Sequence, residues 1–336
     1  MAKFNQPDPR NEGTWCWVNG LVRREDAKVS VLDSVVQGGD AVWEGLRVAD
    51  GRIYQMDEHL KRLVDSAHAL QFADIPNVED VRQAVFDVLA KNGMTDGVHI
   101  RLTLSRGMKS TSGMDPRLNV FGSTLIVLPE YKGAVYGSGQ LKLVTSAIRR
   151  NAPSFLDSKI HHNNLLNNIL AKIQANHAGA DDAVMLDDRG FLAETNATNL
   201  FLVRDGVLCT PFGHACLPGI TRGYTLDLAR QLGIDVREGD FSLTELYTAD
   251  EAFTTGTMGG LAHIVEVDGR TIGTGPGTPP GPVTQALQDA YALHIPFTPL
   301  PNHDLVEVGQ LGGVVRPHLR WTRMVVGSRR ARLDDA

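Results

Sequence analysis

Apolar and polar residues along this chain repeat with two periods, and the switches between them outline the elements. Residues 42–48 and 53–54 flank Asp50-Gly51, which reads as a β-hairpin closed by a type I′ turn. Val18-Asn19-Gly20 predicts a tight turn between short strands. Leu60, Leu63, Val64 and Ala67 share one face of a helix expected over residues 57–70. Val78, Val81, Val85 and Leu89 do the same over 77–92, with Asn77 as N-cap and Gly93 just past the C-terminus. Residues 98–104 and 118–128 read as strands, 129–140 as a loop, 141–145 as a strand and 147–158 as a connecting loop. Leu165, Leu166, Ile169, Leu170 and Ile173 have the period of an amphipathic helix that runs to Gly179 and places Lys159 at its front. Further on come a buried strand at 183–186, a turn at 188–190 and a hairpin at 199–210 around Asp205-Gly206. A helix at 221–232, a strand at 252–255, a hairpin at 265–272 around Asp268-Gly269 and a helix at 282–293 complete the pattern.

This is an α+β chain. It is expected to divide into a first unit (1–138) that begins with a loose polar arm, a second unit (139–300) and a basic tail (301–336). With 336 residues, 42% of them hydrophobic, a sizeable core is expected. The net charge of -6 gives no footprint for nucleic acid, and beside an acidic body the arginine-rich tail reads as a weakly ordered extension. No signal-peptide core or membrane-length stretch is present, and Cys16, Cys209 and Cys216 form no zinc pattern. A cytoplasmic protein with reduced thiols, no membrane partner and no metal is the expectation.

Four stretches carry candidate chemistry. Lys159 lies in Asp157-Ser158-Lys159-Ile160-His161-His162-Asn163-Asn164. An ammonium at a helix start faces the positive end of the macrodipole and gives up its proton more readily, as a carbonyl-attacking amine must. The same lysine could simply decorate a helix start. Glu194, taken alone, is a surface glutamate at a strand end. Gly219-Ile220-Thr221 opens a helix, where bare N–H groups bind phosphate, or is a Pro-Gly turn with Thr221 as its cap. Thr255-Gly256-Thr257-Met258-Gly259-Gly260 is a second glycine-rich turn. Arg62 falls opposite the apolar face of its helix, toward solvent.

The run Glu194-Thr195-Asn196-Ala197-Thr198-Asn199-Leu200-Phe201, then Leu208-Cys209-Thr210, then Leu217-Pro218-Gly219-Ile220-Thr221-Arg222 resembles in order and spacing the signature of the class IV aminotransferases. These are fold type IV enzymes that use pyridoxal 5'-phosphate (PLP), among them branched-chain and D-amino acid aminotransferases, (R)-amine transaminases and aminodeoxychorismate lyase. The resemblance covers roughly residues 15–295. It implies two domains, a small α/β sandwich-like one and a larger β-barrel-like one with helices, in a homodimer. It also implies that Lys159, some thirty-five residues before Glu194, binds the cofactor covalently and moves the substrate proton. Glu194 then faces the pyridine nitrogen; Arg62, Ile220, Thr221 and Thr257 meet the phosphate; Met258 and Gly259 line the substrate pocket. The implied reaction is a ping-pong transfer from an amino acid donor to a 2-oxo acid acceptor.

Some positions depart from the family pattern. Asn196 stands where a smaller residue is usual. His99-Ile100-Arg101 resembles the Tyr-x-Arg stretch of branched-chain enzymes, which puts Arg101 near the substrate carboxylate; otherwise it is a strand-surface arginine. The tyrosine that those enzymes carry five residues after the lysine is Asn164 here. Ser105-Arg106-Gly107 is closer to the D-amino acid and (R)-amine branches, yet their Arg-x-His carboxylate trap is missing from Lys109-Ser110-Thr111-Ser112-Gly113. A branched-chain-like aminotransferase is therefore the first expectation, a D-amino acid or (R)-amine enzyme the second, and a lyase the third.

Overall fold

Two sheets, one from each half of the chain, carry the helices in the computed structural model, which describes residues 8–133, 136 and 139–301. The first half supplies β1 (Trp15–Val18), β2 (Leu21–Arg23), β3 (Ala41–Ala49), β4 (Arg52–Tyr54), β5 (Val98–Ser105) and β6 (Thr124–Tyr131). The second supplies β7 (Gln140–Thr145), β8 (Asp182–Leu186), β9 (Leu192–Thr195), β10 (Asn199–Arg204), β11 (Val207–Pro211), β12 (Val236–Gly239), β13 (Glu251–Gly256), β14 (Gly260–Val267), β15 (Arg270–Thr271) and β16 (Phe297–Pro299). The first sheet runs β16-β4-β3-β5-β6-β1-β2, so the last strand returns to the N-terminal half. The second runs β12-β11-β10-β13-β14-β7-β8-β9, with β15 beside β14, and it curls until β9 lies against β10 and β11. This is the mixed, barrel-like α+β arrangement expected.

The helices are α1 (Ser34–Gly38), α2 (Met56–Ala69), α3 (Val78–Asn92), α4 (Leu166–Ala178), α5 (Ile220–Gln231), α6 (Leu243–Tyr247) and α7 (Pro282–His294). Leu60 and Leu63 of α2 and Val85 and Leu89 of α3 bury against Val42, Leu46, Ile53 and Leu102 of the first sheet. The second sheet has its own core around Leu143, Val184, Leu202 and Ile264. Asn77 caps α3 by accepting from the Glu79 amide, and Gly93 closes it in the left-handed region at φ +62°. The Asp-Gly pairs 50–51, 205–206 and 268–269 all have positive φ at both residues, as a type I′ turn requires.

Two expectations need correction, and one helix face is placed in a way that periodicity does not report. Residues 118–123 are not strand: Asp115 caps a short 3-10 turn, Pro116–Leu118, and β6 begins only at Thr124. The helix after Lys159 begins at Leu166, seven residues late. Asp157 accepts from the Lys159 amide (3.0 Å), and residues 161–163 run alongside β3, where Trp43 N–H donates to His161 O and Asn163 N–H to Ala41 O (both 2.9 Å). That pairing holds the segment extended, so the macrodipole argument for Lys159 fails. Finally, the apolar run of α4 does not face the core. Leu166, Ile169, Leu170 and Ile173 are exposed (42–72%), and Ala171 and Ala175 are the buried positions. The N-terminal arm lies partly, and the basic tail almost wholly, outside the described residues.

Candidate active site

Glu194, far from being a surface glutamate, is only 5% exposed on β9. Its Oε1 is 2.6 Å from Arg150 Nε, and its Oε2 accepts from Asn199 Nδ2 (3.1 Å) and the Leu217 amide (3.3 Å). Burial pushes its carboxyl above the usual range, against the pull of Arg150 and the Leu217 N–H. Such a carboxylate gains from any further N–H presented to it. Asn196, the departure next to it, receives the Ala183 amide on its side chain (2.8 Å), which explains the residue structurally.

Glu194 borders a cavity of ≈ 230 Å³ that also gathers Arg62, Ile220, Thr221, Thr257, Met258 and Gly259. Arg62 points into the protein and not to solvent. Its Nε and Nη2 donate to Glu44 (2.8 and 2.7 Å) and its Nη1 to Pro218 O (3.0 Å). The helical wheel failed because the polar face of α2 meets a buried carboxylate on β3 and the loop that opens α5. That loop is a cradle. Gly219, the N-cap of α5, has no side chain to occupy the first N–H groups, and a Cβ there would sit 1.9 Å from Asn199 Oδ1. Thr255 Oγ1, buried on the same wall, has no hydrogen-bond partner. Thr221 is 3% exposed and its hydroxyl, with the Tyr291 phenol as a neighbour, has no well-aligned bond. Open helix N–H groups, unsatisfied hydroxyls, a guanidinium and a buried carboxylate on one cavity fit a ligand with a phosphate at one end and a basic ring nitrogen at the other.

Lys159 is not drawn into this cavity. Its ammonium turns to Asp157 Oδ1 (3.1 Å) and its side chain is 44% exposed, while its neighbours Ser158 and Ile160 line an adjoining cavity of ≈ 320 Å³. Arg101 lines that second cavity with Arg150, and Glu194 and Trp43 border both. Its guanidinium stacks 3.7 Å from the Trp43 ring, burial lowers its pKa to about 10, and no carboxylate among the described residues pairs with it. His99, on the first cavity's wall, is pushed down to about 4 by burial and is neutral. Arg106, in the stretch that resembles the other branches, is committed to Asp40 (2.6 and 3.1 Å) and to the Leu70 and Gln71 carbonyls. Sequence reasoning missed Glu44, His59, His161 and Arg150. Each gains its meaning from partners far away in the chain, and only the pair His161-His162 beside the lysine gave any local signal.

The cavity thus lies between the open start of α5 and the buried carboxyl of Glu194. The family model for class IV aminotransferases matches residues 41–267, and the chain belongs to that family. It is 54% identical over 287 residues to branched-chain-amino-acid aminotransferase-like protein 2 of Arabidopsis thaliana, covering 85% of this chain but only 51% of that relative. The chain thus spans about half the length of its Arabidopsis relatives. It is 34% identical to the branched-chain-amino-acid aminotransferase of Escherichia coli K12, covering 82% of this chain and 91% of that one. Among solved structures, an E. coli branched-chain amino acid aminotransferase superposes with a TM-score of 0.79 at 32% identity, covering 84% of this chain and 95% of the other. The branched-chain amino acid aminotransferase of Thermobaculum terrenum, in its PLP form, gives 0.74 at 27% identity, covering 83% and 93%.

Proposed function

We propose that this protein is a PLP-dependent aminotransferase that moves an amino group between an amino acid and a 2-oxo acid by a ping-pong mechanism, with branched-chain-like specificity. The observation that carries this is the single cavity joining buried Glu194 to the open start of α5 and Arg62. In this reading Arg62, the Ile220 and Thr221 amides, and Thr257 hold the phosphate. Glu194 keeps a proton on the ring nitrogen, and Met258 and Gly259 shape the substrate space. When bound, PLP supplies an electron sink for the bond broken at the substrate's α-carbon. Lys159 would hold it and would move the proton at the substrate's α-carbon, as a base and then an acid. For this, the Lys159 side chain leaves Asp157 and swings toward the cavity; its exposure lets it do so without unpacking the core. Arg101, unpaired at the adjoining cavity, offers its charge to a substrate carboxylate.

The two sheets, each with its own core, are taken as the small and large domains. Three free, buried thiols favour a reducing, cytoplasmic setting. No helix among the described residues is long and apolar enough to cross a membrane. A homodimer is proposed because the exposed stripe of α4 presents Leu166, Ile169, Leu170 and Ile173 to solvent beside the site. Ile169→Glu is expected to shift sedimentation from dimer to monomer with loss of activity; a wild-type monomer with full activity would end that part of the reading.

The function is tested by half-reactions read from the cofactor spectrum with L-leucine, L-glutamate, D-alanine and (R)-1-phenylethylamine. Conversion by L-leucine and L-glutamate is the expected result. Conversion only by D-alanine or the (R)-amine would move the protein to the second expectation, which Asn164 in place of a tyrosine keeps in view. No spectral change with any amine would overturn aminotransfer.

A further inference from the structure

We propose that Arg150, steadied by Asn168 of α4, is the counter-charge that keeps Glu194 a carboxylate, so that a proton shared with a basic ring nitrogen in the first cavity rests on the nitrogen. Arg150 and Asn168 are then positioning residues that act through Glu194. The inference rests on the reading that this cavity takes the ring of PLP.

Glu194 borders both cavities, whereas Arg150 lines only the second. The guanidinium thus reaches the carboxyl from the second cavity while the first stays open to a ring. Among the described residues, only donors meet that carboxyl. Arg150 Nε stands 2.6 Å from Oε1, and Asn199 Nδ2 and the Leu217 amide donate to Oε2. The Asn199 amide is fixed in this sense, because Nδ2 also donates to Leu217 O (2.9 Å). A neutral carboxyl would carry an O–H with no acceptor here; an ionised one satisfies the whole set.

Burial opposes that charge, and Arg150 leads the groups that favour it. Arg62 adds to the pull, but its Nε and Nη2 are committed to Glu44, while Arg150 pairs with no second carboxylate among the described residues. Burial, and then the charge of Glu194, pushes the Cys216 thiol up to about 12, so no other anion forms beside the acid. What Arg150 supplies is charge held in place, since its Nε–H makes no aligned hydrogen bond. Its position is set by its backbone N–H, which donates to Leu186 O (2.9 Å), and by Nη1, which donates to Asn168 Oδ1 (3.0 Å). Asn168 Nδ2 in turn donates to Asn196 O (2.8 Å), two residues after Glu194. One side chain of α4 therefore fixes the guanidinium relative to the strand end that carries the acid. Without the guanidinium a buried carboxylate loses its counter-charge, and the proton is more stable on the oxygen. Acid and ring nitrogen share that proton as a coupled pair, and Arg150 sets the balance.

Two spectra read the proton directly. In cofactor-free protein, the infrared difference between each form and the same form carrying Glu194→Gln isolates this one carboxyl. Wild type is expected to show a carboxylate band and Arg150→Met a protonated carboxyl band. In protein loaded with PLP that is isotope-labelled at the ring nitrogen, the wild-type NMR signal is expected in the pyridinium range and that of Arg150→Met near neutral pyridine. The half-reaction per bound cofactor should slow by roughly a hundredfold in the same variant. Arg150→Lys, which restores a charge without the fork, should recover the carboxylate band and most of the pyridinium signal. Asn168→Ala, which keeps the guanidinium but frees it, should show both carboxyl bands and a nitrogen signal between the two limits, and it answers the question where Arg150→Met does not fold. A protonated carboxyl in wild type overturns the proposal, as does a carboxylate or a pyridinium signal that survives in Arg150→Met. Spectra of Asn168→Ala that match wild type remove α4 from it. A wild type that binds no PLP sinks the functional reading alone, and the infrared bands then decide the hold of Arg150 on Glu194.

Discussion

Lys159→Ala is expected to lower turnover by roughly a thousandfold or more, the scale of a lost general acid–base, and to remove the visible absorbance of protein-bound PLP. The local structure makes this a clean substitution. The Lys159 side chain is 44% exposed, and the turn that carries it is held by the Asp157 carboxylate on a backbone amide and by Ser158 Oγ donating to Asn151 O (2.7 Å). Folding should therefore survive, and the melting temperature should move little. Borohydride treatment of the PLP-loaded wild type should fix the cofactor on the peptide around residue 159 and leave the variant unlabelled. A variant with normal rates would remove Lys159 from the mechanism, and with it the assignment of the cavity.

Glu194→Gln is expected to keep bound cofactor but slow the half-reaction by roughly a hundredfold or more, the scale of losing one preorganised electrostatic partner. A neutral amide does not hold a proton on the ring nitrogen. The substitution also strips Arg150 of its carboxylate in a site where that arginine is only 6% exposed, so a lower melting temperature is expected as well. Rates are therefore read per bound cofactor. Unchanged half-reaction kinetics on that basis would leave Glu194 as the partner of Arg150 and nothing more.

Much of the framework was legible in the residues, for reasons that are local. Asp-Gly pairs announce hairpins because both residues tolerate positive φ, and Asn77 and Gly93 mark the ends of α3 by the bonds that their positions demand. The cradle was legible for the same reason: a Pro-Gly pair before Ile220 opens a helix with nothing capping it. Where inference failed, the deciding partner lay elsewhere. Arg62 was turned outward by a wheel that sees only its own helix and not Glu44, eighteen positions earlier on β3. The period of α4 marks an apolar face but not what covers it, and that face is exposed. Lys159 was placed at a helix start because the hydrogen bonds of residues 161–163 to β3 are invisible in a one-dimensional pattern.

The return of β16 to the first sheet has a bearing on how the chain is made. Phe297, Thr298 and Pro299 pair with Tyr54, Ile53 and Arg52, and the Leu300 amide donates to Gly51 O (2.9 Å). During synthesis β4 emerges long before this outer neighbour, so it waits with an unpaired edge until Phe297 to Pro299 have left the ribosome. Any nascent or truncated polypeptide stopping short of Phe297 carries that bare edge with it, a template on which a second unfinished chain can add.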